Sequence, residues 1–456
     1  MIARRIFSIV YIIIISFVTI SCRSIQQKER KLPFNWVDTV LANISGSKVT
    51  SASFNVLQFG AIADGQTDNK SVIDRAIKAC ENSGGGKVIF PPGKYLVKGP
   101  IHMISNLELR IEAGAELIFG GDSSCYLPVV KSRWEGTILY NYSPFIYAYK
   151  KHNISITGKG IINGNSKDTW NKWINRQRQD LLLARKMNNE GVPIEKRIFG
   201  GGHSLRTSLI EFYECESVLM DGITIINAPF WCVHPVFSKN IIIRNLLFSA
   251  HNNNNDGIDP DSSEDVLIEN ITFDNADDNI AIKSGRDREG RELNIPSKNI
   301  VVRNCHFKGH NAFSIGSEIS GGVYNVLVEN CSYAGKVRSG FYLKSNNDRG
   351  GSIAHIYARN LTFDTCEYAI EMDTDYKHEG KGHPSEFYDI RIENITAKNA
   401  TVCGISLVGS EEKPIHNVHL NNVTINKATK FYMVEQVKAI HLKNVVIEGA
   451  KVNKFK

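Results

Sequence analysis

The sequence predicts an all-β chain folded as a parallel β-helix, and two observations support this fold class. A short unit recurs in which a strand of alternating apolar residues is followed by Asn and a second short strand, as at 266–271 and 326–331. The asparagine of this unit recurs at unequal intervals, from 22 residues (Asn422 to Asn444) to 34 residues (Asn270 to Asn304). Fixed strand units separated by loops of varying length indicate stacked coils. The rival fold, an antiparallel sandwich, predicts regularly spaced Asn-Gly turns, which the sequence largely lacks.

The asparagines of the repeated unit are predicted to form a ladder at a bend between two sheets. Each would stack its side-chain amide on the next coil, and each needs a left-handed backbone conformation, which asparagine tolerates. The marker asparagines are Asn245, Asn270, Asn304, Asn330, Asn360, Asn394, Asn422 and Asn444.

The first 21 residues are predicted to be a signal peptide, because Arg4 and Arg5 precede a mostly apolar stretch that ends at Ile20. That stretch is too short for a confident membrane-spanning helix. Cys22 follows directly, which predicts cleavage before it and lipidation, as in bacterial lipoproteins. The flank before Cys22 is an imperfect lipobox, so plain secretion is the alternative. We therefore predict an exported protein, in the periplasm, at the outer membrane or secreted, with residues 22–50 as a polar tether.

Residues 51–456 are predicted to form one β-helix domain. Apolar residues at helical spacing predict a short helix from Ser71 to Asn82 that caps the first coil, whereas residues 452–456 provide no evident cap. The segment at about 165–206 is long, charged and partly helical in period, and it interrupts the strand units. Loops of that length are usually functional or disordered, so we predict a loop over a cleft, with an irrelevant surface insertion as the alternative.

Composition adds weaker constraints. The net charge of +7 suits an acidic polymer as partner, although a solvated surface is the more common explanation. The nine cysteines include no C-x-x-C pair and no metal-ligand spacing, so we predict neither a disulfide framework nor a zinc site. We predict no nucleic-acid partner and a monomer.

The chemistry is predicted to lie between 254 and 318, where aspartates interrupt apolar strands. Asp256 and Asp277 are 21 positions apart, about one coil, so their carboxylates would lie one above the other, with Asp278 adjacent. Crowded carboxylates repel, so one holds its proton near neutral pH while others stay ionised, as glycosidic cleavage requires. The alternative is that aspartate merely favours turns. This alternative explains Asp259 and Asp261 about as well as a catalytic role does. It explains the Asp277-Asp278 doublet before Ile280 poorly.

Four short motifs then carry a resemblance to a known family. Asn254-Asn255-Asp256, Asp277-Asp278, Gly309-His310-Asn311 and Tyr342-Leu343-Lys344 resemble the Asn-Thr-Asp, Asp-Asp, Gly-His-Gly and Arg-Ile-Lys motifs of glycoside hydrolase family 28, the polygalacturonase family. The resemblance covers nearly the whole chain after the signal. Residues 133–136, 142–144 and 229–235 are similar to stretches of its exo-acting bacterial members. The chain departs from the motifs at Asn255, Asn311 and Tyr342.

The resemblance implies a right-handed parallel β-helix of the pectin-lyase-like kind that hydrolyses with inversion and needs no metal or cofactor. By resemblance Asp277 is the general acid, Asp256 and Asp278 activate water, His310 supports the site by hydrogen bonding, and Lys344 binds a sugar carboxylate. An inverting site needs carboxyl groups roughly 6.5–9.5 Å apart, which neighbouring coils can provide.

Further contacts with substrate are less constrained by the sequence. Asn254 and Lys283 flank the carboxylates and are candidate substrate contacts, with turn and surface roles as alternatives. Tyr342 replaces an arginine that would pair with a uronate in two bonds, and it could instead stack on a sugar. The positive charge of the missing arginine could come from Arg338, Arg349 or the arginines of the insertion.

The sequence thus favours exo-acting hydrolysis of pectic poly- or oligosaccharide, with release of galacturonate. The alternatives are endo action, a glycosidase acting on rhamnogalacturonan or another decorated backbone, a calcium-dependent pectate lyase, and a non-catalytic binding protein. The lyase would need a carboxylate cage for calcium and a basic residue.

Overall fold

The computed structural model describes residues 36–44, 46–47 and 49–455. The predicted signal peptide and Cys22 lie outside the described residues. Within this part of the chain, no helix is long and apolar enough to cross a membrane. Residues 36 onward belong to one unit of structure.

Short strands dominate this unit, and four α-helices interrupt or flank them: α1 (Trp36–Asn43), α2 (Lys70–Asn82), α3 (Gln177–Asn189) and α4 (Asp287–Leu293). The strands are Ser53–Asn55, Asp64–Asp68, Gly86–Phe90, Gly93–Val97, Ile101–His102, Leu107–Ile111, Ala115–Phe119, Val130–Trp134, Thr137–Asn141, Ile146–Tyr149, His152–Gly158, Ile161–Asn163, Ile198–Phe199, Ile210–Tyr213, Glu216–Asp221, Thr224–Ile226, Val233–Val236, Lys239–Arg244, Leu247–Ser249, Glu264–Glu269, Asn275–Ile282, Ser297–Arg303, His306–Phe307, Gly309–Ile315, Val323–Lys344, Ser352–Asp373, Glu386–Val408, Ile415–Ile425, Ala428–Glu435, Val437–Ile447 and Ala450–Val452.

The strands stack as coils in parallel register, which confirms the predicted parallel β-helix. Leu109 pairs with Ile156, Ile156 with Met220, and Met220 with Ile243, so the same face of each coil meets the next coil. Inward side chains are apolar and fully buried along the whole stack, and aromatic rings stack inside it, with Phe248 and Phe273 centroids 4.9 Å apart. The core therefore grows coil by coil, which explains how one domain can be this long.

The predicted asparagine ladder is present at the corners of the coils. All eight marker asparagines have a left-handed backbone, with φ between 53° (Asn422) and 57° (Asn245). The amide of Asn360 donates to Asn330 Oδ1 at 2.8 Å, and Asn394 donates to Asn360 Oδ1 at 3.0 Å. Each asparagine thus allows the chain to turn, and in these coils its side chain forms a hydrogen bond with the asparagine of the neighbouring coil.

Both ends of the described stack are covered. Helix α2 covers the first coil as predicted, with Ile73 and Ala76 fully buried in the core. The expectation that the C-terminal end lacks a cap is wrong. Ala450–Val452 folds back antiparallel on Val437–Ile447, and the Phe455 ring packs 4.7 Å from the Tyr432 ring. This reversal protects an edge that would otherwise extend the sheet.

The predicted tether also differs from the structure, because part of it is helical. Helix α1 buries Val37 and Val40 and contacts the strands Glu264–Glu269 and Ser297–Arg303. Outward-facing Leu267 and Val301 on those strands are nearly or fully buried. The folded domain therefore begins at Trp36, since burial of apolar side chains offsets the cost of ordering this segment.

Candidate active site

The site lies on the outer face of one sheet, here called the floor sheet. It comprises Ile146–Tyr149, Ile210–Tyr213 and Val233–Val236, continued by segments 258–261, 280–283, 313–316, 341–344 and 370–373. Because alternate side chains point out of the core, they form two rows. The first row is Tyr147, Glu211, His234, Asp259, Ala281, Ser314, Tyr342 and Glu371; the second is Tyr213, Val236, Asp261, Lys283, Gly316, Lys344, Asp373 and Val408.

One end of the floor sheet is covered and the other is open. Towards the N-terminal coils, Glu211 and His234 are fully buried. Towards the C-terminal coils, Asp373 and Val408 are only partly buried, and Glu435, next to Val408, is exposed. The resulting groove is therefore closed on the N-terminal side.

A hairpin and the predicted insertion form this closure. The strands Val130–Trp134 and Thr137–Asn141 pair antiparallel over the floor, where Ser132 donates to Glu211 at 2.8 Å. The insertion lies between the strands that end at Asn163 and begin at Ile210; it contains α3 and adds the strand Ile198–Phe199 to the hairpin. A separate apolar cluster holds these parts together: Trp134, Leu139, Ala184, Phe199, Leu205, Phe230 and Trp231.

A cavity of about 170 Å³ lies against this closure. It is lined by Glu135, Leu181, Arg185, Trp231, Asn254, Asp256, Asp277, Asp278, Lys283, Gly316, Ser317, Glu318, Lys344, Arg349, Tyr376, Lys377 and Glu379. All three predicted catalytic aspartates line it, together with two side chains of α3. The stacking of the aspartates is as predicted, since the Gly257 amide beside Asp256 donates to the Asp278 carbonyl at 2.9 Å.

The surroundings of the aspartate doublet shift the pKa values of its two carboxyl groups in opposite directions. Burial and the adjacent Asp278 carboxylate raise the pKa of Asp277. Burial would also raise the pKa of Asp278, but Lys344 and Lys283 outweigh it, and the net pKa is lowered. Lys344 Nζ donates to Asp278 at 2.7 Å, and the Asn311 amide donates to the other oxygen at 2.6 Å. Asp277 can therefore give a proton while Asp278 stays ionised to accept one.

Asp256 lies in a different environment from Asp278, although both were predicted to activate water. Burial, and then the carboxylates of Asp259 and Asp277, raise the pKa of Asp256 well above its usual range. Burial also raises the pKa of Asp259 to about 7, against the lowering effect of Lys283. The raised pKa values favour the protonated forms of Asp256 and Asp259, whereas the lowered pKa of Asp278 favours its ionised form.

Lys283 is the counter-ion of this acidic group. Its ammonium lies 3.6 Å from Asp256, 3.5 Å from Asp259 and 3.6 Å from Glu318, and it stands 4.5 Å from the centroid of the Trp231 ring. Burial alone would raise the pKa of Glu318, but Lys283, Arg286 and Arg349 lower it strongly. The predicted substrate contact is therefore a lining residue whose charge is already committed to three carboxylates.

The wall opposite the aspartates is a network of ion pairs. Arg185 on α3 lies 3.2 Å from Glu135 on the hairpin and 3.2 Å from Glu379. Arg349 contacts Glu379 at 2.7 Å and Asp287 at 2.6 Å. These bonds join the insertion, the hairpin and the loop at 374–384, so parts far apart in sequence close one cavity.

The other residues predicted to contact the substrate or support the site differ in whether they line the cavity. Asn254 lines the cavity, and its Oδ1 accepts a hydrogen bond of 2.6 Å from the buried Arg206 at the end of the insertion. Lys344 also lines it, but its ammonium is bound to Asp278. His310 is exposed, and within the described chain its ring makes no hydrogen bond to the aspartates; its electrostatic effect is to lower the pKa of Asp277.

Tyr342 does not have the predicted position. It is 1% exposed and does not line the cavity. The Arg338 guanidinium covers its ring at 4.8 Å, and the Tyr376 ring lies 6.1 Å away. Tyr342 therefore supports these groups rather than offering a face to a sugar, because neighbouring side chains fill the space above it.

Sequence reasoning missed several residues that shape the site. Asn311 replaces a glycine of the family motif, and its amide orients Asp278 while Ser339 N donates to its oxygen at 3.2 Å. Trp231 and Glu135 lie in stretches whose family resemblance was noted without a role for these residues, and Glu379 lines the cavity without any local signal in the sequence. Only the departure from Gly at Asn311 could have indicated a changed role.

A one-ended groove on a parallel β-helix, with a carboxyl group of raised pKa beside one of lowered pKa, has the parts of an acid–base glycoside hydrolase. Comparison with known proteins agrees. The model of glycosyl hydrolases family 28 matches residues 200–447, and a model of the rhamnogalacturonase A/epimerase, pectate lyase-like kind matches residues 53–128. The chain belongs to glycosyl hydrolases family 28, and it is a glycoside hydrolase.

Three known proteins are similar to this chain in sequence or structure. A "Probable polygalacturonase" of Vitis vinifera is 29% identical over 397 residues, covering 83% of this chain and 75% of the relative. An exo-poly-alpha-D-galacturonosidase of Dickeya chrysanthemi is 26% identical, covering 83% and 69%. The crystal structure of a hyperthermoactive exopolygalacturonase from Thermotoga maritima is 35% identical, with a TM-score of 0.84 over 92% of this chain and 97% of that one. The right-handed β-helix of these neighbours confirms the predicted handedness.

Proposed function

We propose that the protein releases galacturonate units one at a time from the end of pectic galacturonan, with inversion and without a metal. The observation that carries this proposal is the cavity at the covered end of the groove, where Asp277 and Asp278 lie beside a wall built from the insertion and the hairpin. A groove with a closed end admits a chain terminus but not the middle of a chain. Relatives described as exo-acting galacturonosidases support the same substrate class.

In the proposed mechanism, the Asp277 carboxyl group donates its proton to the glycosidic oxygen as the bond to the anomeric carbon breaks. Asp278 accepts a proton from a water molecule that attacks this carbon from the opposite face. Lys344 and Asn311 hold the Asp278 carboxylate in place. Asp256 is proposed to act with Asp278 on the attacking water, as predicted. For His310, an electrostatic effect on Asp277 takes the place of the predicted hydrogen bond.

The ion pairs of the site favour hydrolysis over calcium-dependent elimination. Four of the five acidic side chains that could be taken for a calcium cage, all except Asp277, face a cation of the protein: Asp256 and Asp259 face Lys283, Asp278 faces Lys344, and Asp261 contacts Arg133 at 2.9 Å. A second cation in the same place would be repelled. A rhamnogalacturonan or otherwise decorated backbone is the second candidate substrate, because Tyr342 replaces the arginine of the family motif.

We also propose that the protein is exported and attached to a membrane through a lipidated Cys22, and that it acts as a monomer. The charged n-region, the apolar stretch and the position of Cys22 support export and lipidation. The domain that begins at Trp36 would then leave residues 22–35 as the tether, a shorter segment than the sequence predicted.

Incubation with polygalacturonate in EDTA should release monomeric galacturonate from the first time points, with no early accumulation of intermediate oligomers. The closed cavity accepts only a chain end, so each cleavage yields one unit. Chromatography of a time course measures this, with the Asp277→Asn protein as the matched control. Early oligomers of many lengths would contradict exo action, and products from rhamnogalacturonan alone would keep the mechanism but change the substrate.

A further inference from the structure

The substitution of Tyr342 for the motif arginine leaves open which cation binds the carboxylate of a leaving-group galacturonate. The arginines closest to this role are already neutralised. Both terminal nitrogens of Arg338 donate to the Glu371 carboxylate, at 2.8 and 3.0 Å. Arg349 and Arg185 are bound to acidic side chains of the cavity wall. A guanidinium that is paired with a protein carboxylate has little charge left for a substrate carboxylate.

The lysines that line the cavity differ in whether a carboxylate of the protein already neutralises their charge. Lys283 faces three carboxylates and Lys344 is bound to Asp278. Lys377 is exposed and lines the cavity, and among the described residues it is the one lining cation with no carboxylate within ion-pair distance. An uncompensated ammonium at the edge of a cavity is the group that an incoming carboxylate would meet.

The backbone under Lys377 is fixed, so its position is not an accident of a free loop. The Lys377 amide donates at 2.8 Å to Oδ1 of Asn346, a fully buried side chain, and the Tyr376 amide donates at 2.8 Å to the Ser345 carbonyl. The ammonium stands 4.9 Å from the centroid of the Tyr376 ring. These bonds tie the loop to the coil that follows Lys344.

Tyr376 places Lys377 beside the position of the missing arginine. Its ring lies 6.1 Å from the Tyr342 ring, and Lys344 Nζ stands 5.2 Å from its centroid. The open side of the groove, where a leaving group must lie, continues from here towards Asp373. We propose that Lys377 binds the carboxylate of the leaving-group galacturonate and so restores, from a loop, the charge that Tyr342 lacks; this role rests on the proposed function.

The test compares two substrates whose leaving groups differ in charge. Lys377→Ala should lower kcat/KM for digalacturonate about tenfold, mainly through KM, as expected for the loss of one hydrogen bond to a charged group. It should leave kcat/KM for 4-nitrophenyl α-galacturonide, whose leaving group is neutral, nearly unchanged. Lys377→Arg should recover most of the loss. Lys381→Ala is the matched control, because Lys381 is an exposed lysine of the same loop that does not line the cavity.

Equal losses on both substrates would overturn the assignment to the leaving group, as would unchanged constants for digalacturonate. A wild-type protein that is inactive on both compounds would overturn the proposed function and this role with it. If the wild type is active and Lys377→Ala has the same kcat/KM for digalacturonate, only the role of Lys377 would be overturned.

Discussion

The Asp277→Asn protein is expected to hydrolyse galacturonan about 10³-fold more slowly than the wild type, because it cannot protonate the leaving oxygen. Burial and the Asp278 carboxylate raise the pKa of Asp277, which favours the protonated carboxyl group that acid catalysis needs and that an amide cannot replace. Asparagine has nearly the same shape, and Asp277 is only partly buried, so thermal unfolding should change little. Initial rates on digalacturonate measure the effect.

Two comparisons make this result specific to acid catalysis. The loss should be much smaller with 4-nitrophenyl α-galacturonide, because that leaving group departs without full protonation. Asp274→Asn, on the same coil, should be close to wild type, since Asp274 pairs with Lys308 at 2.8 Å and does not line the cavity. A rate for Asp277→Asn within about threefold of the wild type would contradict the assignment.

The Lys283→Met protein is expected to lose about 3–5 kcal/mol of unfolding free energy at neutral pH, since it leaves buried carboxylates without their counter-ion. Lys283 is 4% exposed and lies within 3.6 Å of Asp256, Asp259 and Glu318. Without it, the already raised pKa values of Asp256 and Asp259 rise further in the folded state and the lowered pKa of Glu318 rises towards its usual value, so folding takes up protons. The deficit should therefore shrink as pH falls and grow as pH rises. Denaturant unfolding at several pH values measures it.

Lys298→Met provides the matched control for that experiment. Lys298 lies 2.9 Å from Glu264, but both side chains are about two-fifths exposed, at 43% and 39%. Solvent screens such a pair, so its loss should cost at most about 1 kcal/mol. A Lys283→Met protein as stable as this control at neutral pH would contradict the role of Lys283 as a counter-ion.

The fold could be predicted because its signals are local and repeated. Every coil needs a left-handed corner, and the asparagines from Asn245 to Asn444 mark those corners in the sequence. The doublet at Asp277 and its stacking near Asp256 followed from the length of one coil. Side chains that meet across coils could not be predicted in this way, because loops of varying length hide the register.

The corrections concern contacts that only the register and the loops determine. Lys344 and Lys283 line the cavity and remain predicted substrate contacts, but the sequence did not show that stacking places their ammonium groups against Asp278 and Glu318. Tyr342 was expected to face a sugar, but Arg338, four residues earlier, folds over its ring. The closure depends on α3 reaching residues up to 194 positions away, as in the bond from Arg185 to Glu379. Nothing in the local sequence indicates such pairs.

The stereochemistry of the first product tests the central claim most directly. Proton NMR of a digalacturonate digest, recorded within minutes and in EDTA, distinguishes the anomers of the released unit before they interconvert. Separate acid and base roles for Asp277 and Asp278 predict that β-galacturonate appears first and that the α anomer follows by mutarotation. An α anomer that appears first would show retention through a covalent intermediate and would contradict the account.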